Sequence, residues 1–282
     1  MKRGNRHTRA VKQFVDDDTP LSARSLRQLT TLIVDTPNLI GDHYRYARAW
    51  SGAMESDEVV AVATHALTGA TNAMPCAVRA CLPLLTKAGH PPIATADHTL
   101  TWASWHHGGD YETYWFGDIT TLLHYADITD TEREQLTLKA RKAITEGKLA
   151  YAVGQSLTHE LPHAPHQVIT RVGLIFVTPS VHSGTISAIH DIKKQGIAIV
   201  YASHDDTYTV TALAQLVGIA AKNETAITMT TGRIQAIRHT LYAGATPAAL
   251  HQLLASLPPE STLKVAGRIT DFWQAARSLI DD

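Results

Sequence analysis

Cysteine, net charge, long apolar runs and glycine-rich phosphate loops are all scarce in this chain, and each shortage closes off a class of protein. Two cysteines, Cys76 and Cys81, cannot build a disulfide framework, so a reducing, cytoplasmic setting is expected. With 25 Lys and Arg against 26 Asp and Glu the formal charge is −1, so any contact with nucleic acid has to be local. No apolar run approaches the ~20 residues that span a bilayer, and no membrane partner is expected. The basic start, Met1 to His7, is followed by no apolar segment of the kind that marks a secretion signal. Neither Gly-x-x-x-x-Gly-Lys nor Gly-x-Gly-x-x-Gly occurs, which removes the common nucleotide-phosphate loops.

What is present is ample apolar material. Apolar residues make up 44% of the 282 and charged residues only 18%, against about a quarter in ordinary soluble domains. That is enough for one elaborated domain or two ordinary ones, each with a buried core. Residues 1–27 hold seven basic side chains against three acidic ones, a local balance of +4. Such an arm either neutralises phosphates or is simply a solvated chain end.

Along the chain, short β-type runs alternate with amphipathic stretches. Leu32-Ile33-Val34 reads as a strand ending at Asp35, residues 41–51 as a helix, and Val59 to Ala63 as the next strand. A helix over 73–88, closed by Gly89, precedes Ile93-Ala94-Thr95. A polar helix is expected from Asp130 to Gly147, and a Pro- and His-containing loop over 156–167. Val172 to Val177 then reads as a buried strand, Ile186, Ile189 and Ile192 follow a helical period ending at Gly196, and Ile197 to Tyr201 is a further strand. Thr246-Pro247 starts a helical tail over 248–257 and 267–280. Continuous apolar strands joined by helices predict an α/β fold: a Rossmann-like three-layer domain with a mainly parallel sheet. The expected division is a basic arm at 1–27, the α/β domain at 28–221 and a mostly helical extension at 222–282.

In such sheets ligands sit beyond the carboxyl ends of the strands. Asp35 ends the first strand and Asn38 follows three residues later. A carboxylate and an amide at a strand tip suit a hard cation and a phosphate, and equally suit an Asx turn that only bonds its own backbone. A second acidic cluster contains Asp110 and Asp118. Asp118 opens an apolar helical run, where a carboxylate serves as an N-cap. Trp102, Trp105, Tyr111, Tyr114 and Trp115 crowd this region, either as core or as a platform for unpaired bases. His159-Glu160-Leu161-Pro162-His163 has the letters of a zinc protease motif, but Pro162 disfavours the regular helix that mechanism needs.

The order of a strand-end Asp35 with Asn38, a Gly117-Asp118 before a helix, and a later strand, loop and helix resembles the NYN family of PIN-like nucleases. The resemblance runs over roughly residues 29–220. It implies a PIN-like fold and divalent-metal-dependent cleavage of RNA or another single-stranded nucleic acid, with Mg²⁺ or Mn²⁺ held by Asp35 and Asp118 and Asp110 in reserve. Asn38 would orient water or the scissile phosphate. Where that family carries its third acidic pair, this chain has Ser180 and His182, which would contact substrate. That departure makes a nuclease-like scaffold, binding nucleic acid or a protein partner without cutting, the alternative; a homo-oligomer is compatible with either. Segment 172–206 also looks like the core of a haloacid-dehalogenase-type phosphatase, with Asp205-Asp206 as late acids. That chemistry wants a second Asp two residues after the nucleophile, and Pro37 stands there instead.

Overall fold

The computed structural model describes residues 13–15, 28–68, 70, 73–83, 93–96, 100–161, 169–228, 241–243, 262–265 and 269–281. Its strands, in chain order, are β1 (Gln13–Val15), β2 (Thr31–Val34), β3 (Ile40–Trp50), β4 (Ile93–Ala96), β5 (Leu100–His107), β6 (Asp110–Gly117), β7 (Leu149–Thr158), β8 (Arg171–Val181), β9 (Ala198–Ala202), β10 (Ile227–Thr228), β11 (Leu241–Ala243) and β12 (Thr262–Val265). The helices are α1 (Ser56–Ala66), α2 (Ala73–Ala80), α3 (Ile119–Tyr125), α4 (Asp130–Thr145), α5 (Thr185–Lys194), α6 (Thr207–Val217) and α7 (Ile269–Asp281). The chain divides into two units: Met1–Leu39, His182–Val210 and Val217–Asp282 form one, and Ile40–Val181 with Thr211–Leu216 form the other.

The first unit holds a parallel sheet in the order β1-β12-β2-β9-β11-β10. Its centre is β2, four consecutive buried residues, because a strand covered on both faces has no polar side to show. Register Val34↔Tyr201 brings the carboxyl ends of β2 and β9 side by side. The loops that leave those two ends carry the candidate site.

The second unit holds an antiparallel sheet in the order β3-β8-β7-β6-β5-β4. Gly108 and Gly109, both at positive φ (62° and 101°), turn β5 into β6, a two-residue turn whose twist suits a hairpin. Trp102 stacks on Trp115 at 5.2 Å, and Trp115 Nε1 donates to Ser156 Oγ at 2.9 Å, so the buried indole keeps its polar atom satisfied. Of the aromatic residues in this region, Trp102, Trp105, Tyr114 and Trp115 are core, not a surface for bases.

Several expectations are corrected. The mainly parallel, Rossmann-like PIN-type fold does not describe the chain, since half of the described strands form a separate antiparallel sheet inserted between β2 and β9. Among the described C-terminal residues, β11 and β12 pair with β9 and β2 inside the parallel sheet, so this part is not a separate extension, while α7 (Ile269–Asp281) forms where the helix over 267–280 is expected. The linear division at 28–221 and 222–282 fails for the same reason, because the first unit is assembled from both ends of the chain. Residues 41–50 lie in β3, not in a helix; two register shifts along it blur the alternation that marks a strand. Val59 to Ala63 lies within helix α1, where a continuous apolar run reflects burial of Val59, Val60, Val62 and Ala63. A run that short does not separate a buried strand from a buried helix. Strand β8, helix α5 and strand β9 follow in the expected order, but β8 belongs to the antiparallel sheet. The basic arm except 13–15, the 248–257 helix, and His163 and His166 lie outside the described residues.

Candidate functional site at the tip of the parallel sheet

Asp35 follows β2 and turns the chain at once. Its carboxylate accepts from Thr36 N at 2.6 Å and caps a single 3₁₀ turn over Thr36–Asn38, with Pro37 inside it. Asn38 N donates to Asp35 O and Leu39 N to Thr36 O, each at 3.0 Å. The local turn expected from the sequence is therefore real. It also aims Thr36 sideways, toward β9.

Thr36 Oγ1 is the hub of a cluster that the sequence scatters over 169 positions. It lies 2.8 Å from Tyr201 Oη and 2.9 Å from Ser203 Oγ, and it hydrogen-bonds Asp205 Oδ2. Ser203 Oγ donates to the same Asp205 oxygen at 2.9 Å and accepts from Asp205 N at 3.3 Å. Ser203 N donates to Tyr242 O at 3.0 Å, which ties the loop to β11. Tyr201 and Ser203 are buried, and Asp205 retains only part of its surface. Desolvation of its carboxyl is the main reason that Asp205 is pushed above the ordinary carboxylate value. The Thr36 and Ser203 hydrogen bonds pull the other way, the Asp35 charge adds to the rise, and His204 subtracts from it. Asp206, next in line, is occupied as the N-cap of α6, accepting from Thr209 N at 2.7 Å.

The expected site residues divide. His182 comes to the Asp35 turn: its backbone N donates to Leu39 O at 3.3 Å, and its ring Nε2 lies 3.4 Å from Pro37 O. Ser180 is part of β8 in the other unit. Asp118 caps α3, accepting from Thr121 N at 2.7 Å, as the helix pattern predicted. Asp110 pairs with His159 beside the β5–β6 turn. Both acids therefore have local structural partners, and both lie in the antiparallel unit, whereas Asp35 lies in the parallel one.

Among the described residues no group of three or more His, Cys, Asp and Glu side chains is placed to hold a metal ion. At the sheet tip one oxygen of Asp205 is committed to Thr36 and Ser203, and one oxygen of Asp35 to Thr36 N. Two partly committed carboxylates fall short of the octahedral oxygen set of an all-protein Mg²⁺ or Mn²⁺ cage. The residues missed from sequence are Thr36, Tyr201 and Ser203; Asp205 entered there only as a late acid of the phosphatase-like resemblance. Applying the strand-end rule to β9 as well as to β2 finds Ser203 and Asp205 together.

No family model matches the chain, and no curated protein matches it. Among solved structures it is similar to a zinc-transporting PIB-type ATPase in its E2.Pi state, at a TM-score of 0.48 and 16% identity. The match covers 92% of this chain and 36% of that one, so the chain spans little more than a third of the transporter's length. Among the described residues no helix is long and apolar enough to cross a membrane.

Proposed function

We propose that the tip of the parallel sheet is a phosphate-ester site in which Asp35 is the nucleophile and Asp205 holds the proton. The observation that carries this reading is the pairing of the two acids across adjacent parallel strands, with Asp205 desolvated beside the charge of Asp35. A carboxyl whose burial raises its proton affinity suits an acid role, and a second carboxylate at the same sheet tip suits a nucleophilic one. An Asp35 oxygen attacks phosphorus and the ester oxygen departs, taking a proton supplied by Asp205 through the Thr36 hydroxyl. An acyl phosphate on Asp35 results. Water then attacks that phosphorus, its proton returns by the same path to Asp205, and inorganic phosphate leaves with both acids restored.

The second Asp that the sequence lacks two positions after Asp35 is replaced, in this reading, by one from a neighbouring strand. RNA and other phosphodiesters belong to the same chemical class and are one arm of the test. Hydrolysis of an aryl phosphate, an aryl phosphodiester and a single-stranded RNA by wild type and Asp35→Asn separates the arms. Monoester turnover abolished by Asp35→Asn supports the reading; turnover unchanged in that variant removes it.

A second reading is favoured by the backbone of the turn. Thr36 N, Asn38 N and Leu39 N are all committed within it, and Pro37 has no N–H, so these four positions offer no free amide to a phosphate oxygen. That arrangement suits a site that binds without turning over. Phosphate-induced thermal stabilisation in the absence of turnover would select this second reading.

A further inference from the structure

Helix α5 starts beside the Asp35 turn. It packs against β9 and is joined to it by residues 195–197, so the two run antiparallel. Ten helical residues rise about 15 Å and five strand residues about 16 Å, which sets the start of the helix level with the carboxyl end of the strand. His182, leading into α5, agrees with that placement: its backbone N donates to Leu39 O at 3.3 Å and its ring Nε2 lies 3.4 Å from Pro37 O. Gly184, the N-cap, has no side chain to bond the first amides, and the first turn holds no acid. Among the described residues nothing accepts from the amides of Ser183, Gly184, Ile186 or Ser187, all of them exposed residues. Helix α4 begins differently. Glu132, its third residue, accepts from Thr129 N at 3.0 Å. Ser187 holds that place in α5, and its hydroxyl donates to Gly184 O at 2.9 Å instead.

A second observation is independent of the backbone. Thr185, the first residue of α5, is wholly buried, and among the described residues its Oγ1 has no hydrogen-bond partner. It heads the buried stripe Thr185, Ala188, Ile189 and Ile192, so it stands at the sheet-tip end of the covered face. A helical Cα–Cβ bond tilts toward the helix N-terminus, which aims this side chain at the same end as the unused amides. A buried hydroxyl without a partner is unfavourable, and a group with several acceptor oxygens satisfies hydroxyl and amides together.

We infer that the start of α5 is an oxyanion subsite, holding a phosphate or carboxylate group on the amides of Ile186 and Ser187 and the hydroxyl of Thr185. The partial positive charge of the helix end favours the anion. The β2 turn has no free amide over Asp35 to Asn38 or at Leu39 for such a group, whereas α5 offers several at the other side of Leu39. For the substrate the inference rests on the phosphate-ester reading: the ester attacked by Asp35 carries a second anionic group, and α5 takes that group. The subsite itself does not depend on turnover.

The test is an amide NMR titration of the full ¹⁵N-labelled chain with inorganic phosphate at physiological ionic strength. The Ile186 and Ser187 signals are expected to move saturably in wild type and equally in Asp35→Asn. Ser187→Glu places a carboxylate where Glu132 stands in α4, and is expected to abolish the shift while raising the melting temperature. Thr185→Val is expected to weaken phosphate about tenfold, and Thr185→Ser, which keeps the hydroxyl, to restore it. Signals that stay still, or that move as much in Ser187→Glu, overturn the subsite. Wild-type affinity in Thr185→Val overturns it too, since a helix end alone is then all that binds. If Thr185→Val does not fold, Ser187→Glu, at an exposed position, decides. For the substrate, the KM of at least one linear alkyl bisphosphate should lie about tenfold below that of its monophosphate in wild type, and not in Ser187→Glu. Equal KM values throughout the series in wild type overturn the second anionic group. Phosphate bound at α5 without turnover of any ester keeps the subsite and removes the hydrolase; turnover with unmoved α5 signals does the reverse.

Discussion

Thr36, on the turn that leaves β2, hydrogen-bonds Asp205, on the loop that leaves β9, and with its contacts to Tyr201 and Ser203 this link joins the two strand ends that form the candidate site. It is possible because Val34 and Tyr201 are register partners in a parallel pair, so both loops emerge on the same edge of the sheet. Opposite strand directions would have placed them at opposite ends.

Asp35→Asn is expected to remove aryl-phosphate turnover by about 10³-fold or more, since the amide cannot form the acyl phosphate. Asn is also a good capping residue, so the 3₁₀ turn should survive. Thermal unfolding within a few degrees of wild type, measured beside the rate, separates lost chemistry from lost fold.

The raised Asp205 has a definite consequence for stability. Its proton is held more tightly in the folded chain than in the unfolded one, so its contribution is fully present below the ordinary value of 3.8. That contribution is lost as pH rises from there toward its folded value. Asp205→Asn, neutral at every pH, should therefore flatten the fall in stability above pH 3.8, and its advantage over wild type should grow as pH rises. Urea unfolding of both proteins at several pH values measures the difference.

Asp118 gives a test of cap against metal ligand. Asp118→Ser, which can still accept from Thr121 N, should leave stability nearly unchanged, whereas Asp118→Ala should cost about 1 kcal/mol. Mn²⁺ added without phosphate should shift the melting temperature of none of the three proteins. A metal-dependent shift in wild type that disappears in Asp118→Ser would assign Asp118 to an ion after all.

Gly173 marks where β8 passes beneath helix α1. A Cβ there would sit 2.9 Å from both methyl carbons of Val59 and 3.2 Å from Met54 Cε. Gly173→Ala should destabilise the antiparallel unit by about 1–3 kcal/mol through overpacking. Val59→Ala in the same chain should recover part of that loss, as a double-mutant cycle would show.

Read along the chain, the sequence was informative wherever the cause was local. The Asp118 cap, the helix from Asp130, the β9 strand and the Asp35 turn all follow from neighbours within a few residues, so their patterns are written contiguously. Val59 to Ala63 was not legible, because its outward position is an apolar Ala61, so five apolar residues in a row hide the period that separates helix from strand. The edge strand β3 was hidden by its register shifts.

The amino-acid order by itself determined an apolar chain of nearly balanced charge, with acids placed at strand and helix ends. Which acids meet was decided only by the tertiary structure. Asp35 and Asp205 share one sheet tip because parallel pairing of β2 with β9 sets the two strand ends together, while the intervening strands close into a sheet of their own. Hydrogen bonding between strands depends on register in space, and that distance is not encoded in separation along the polymer.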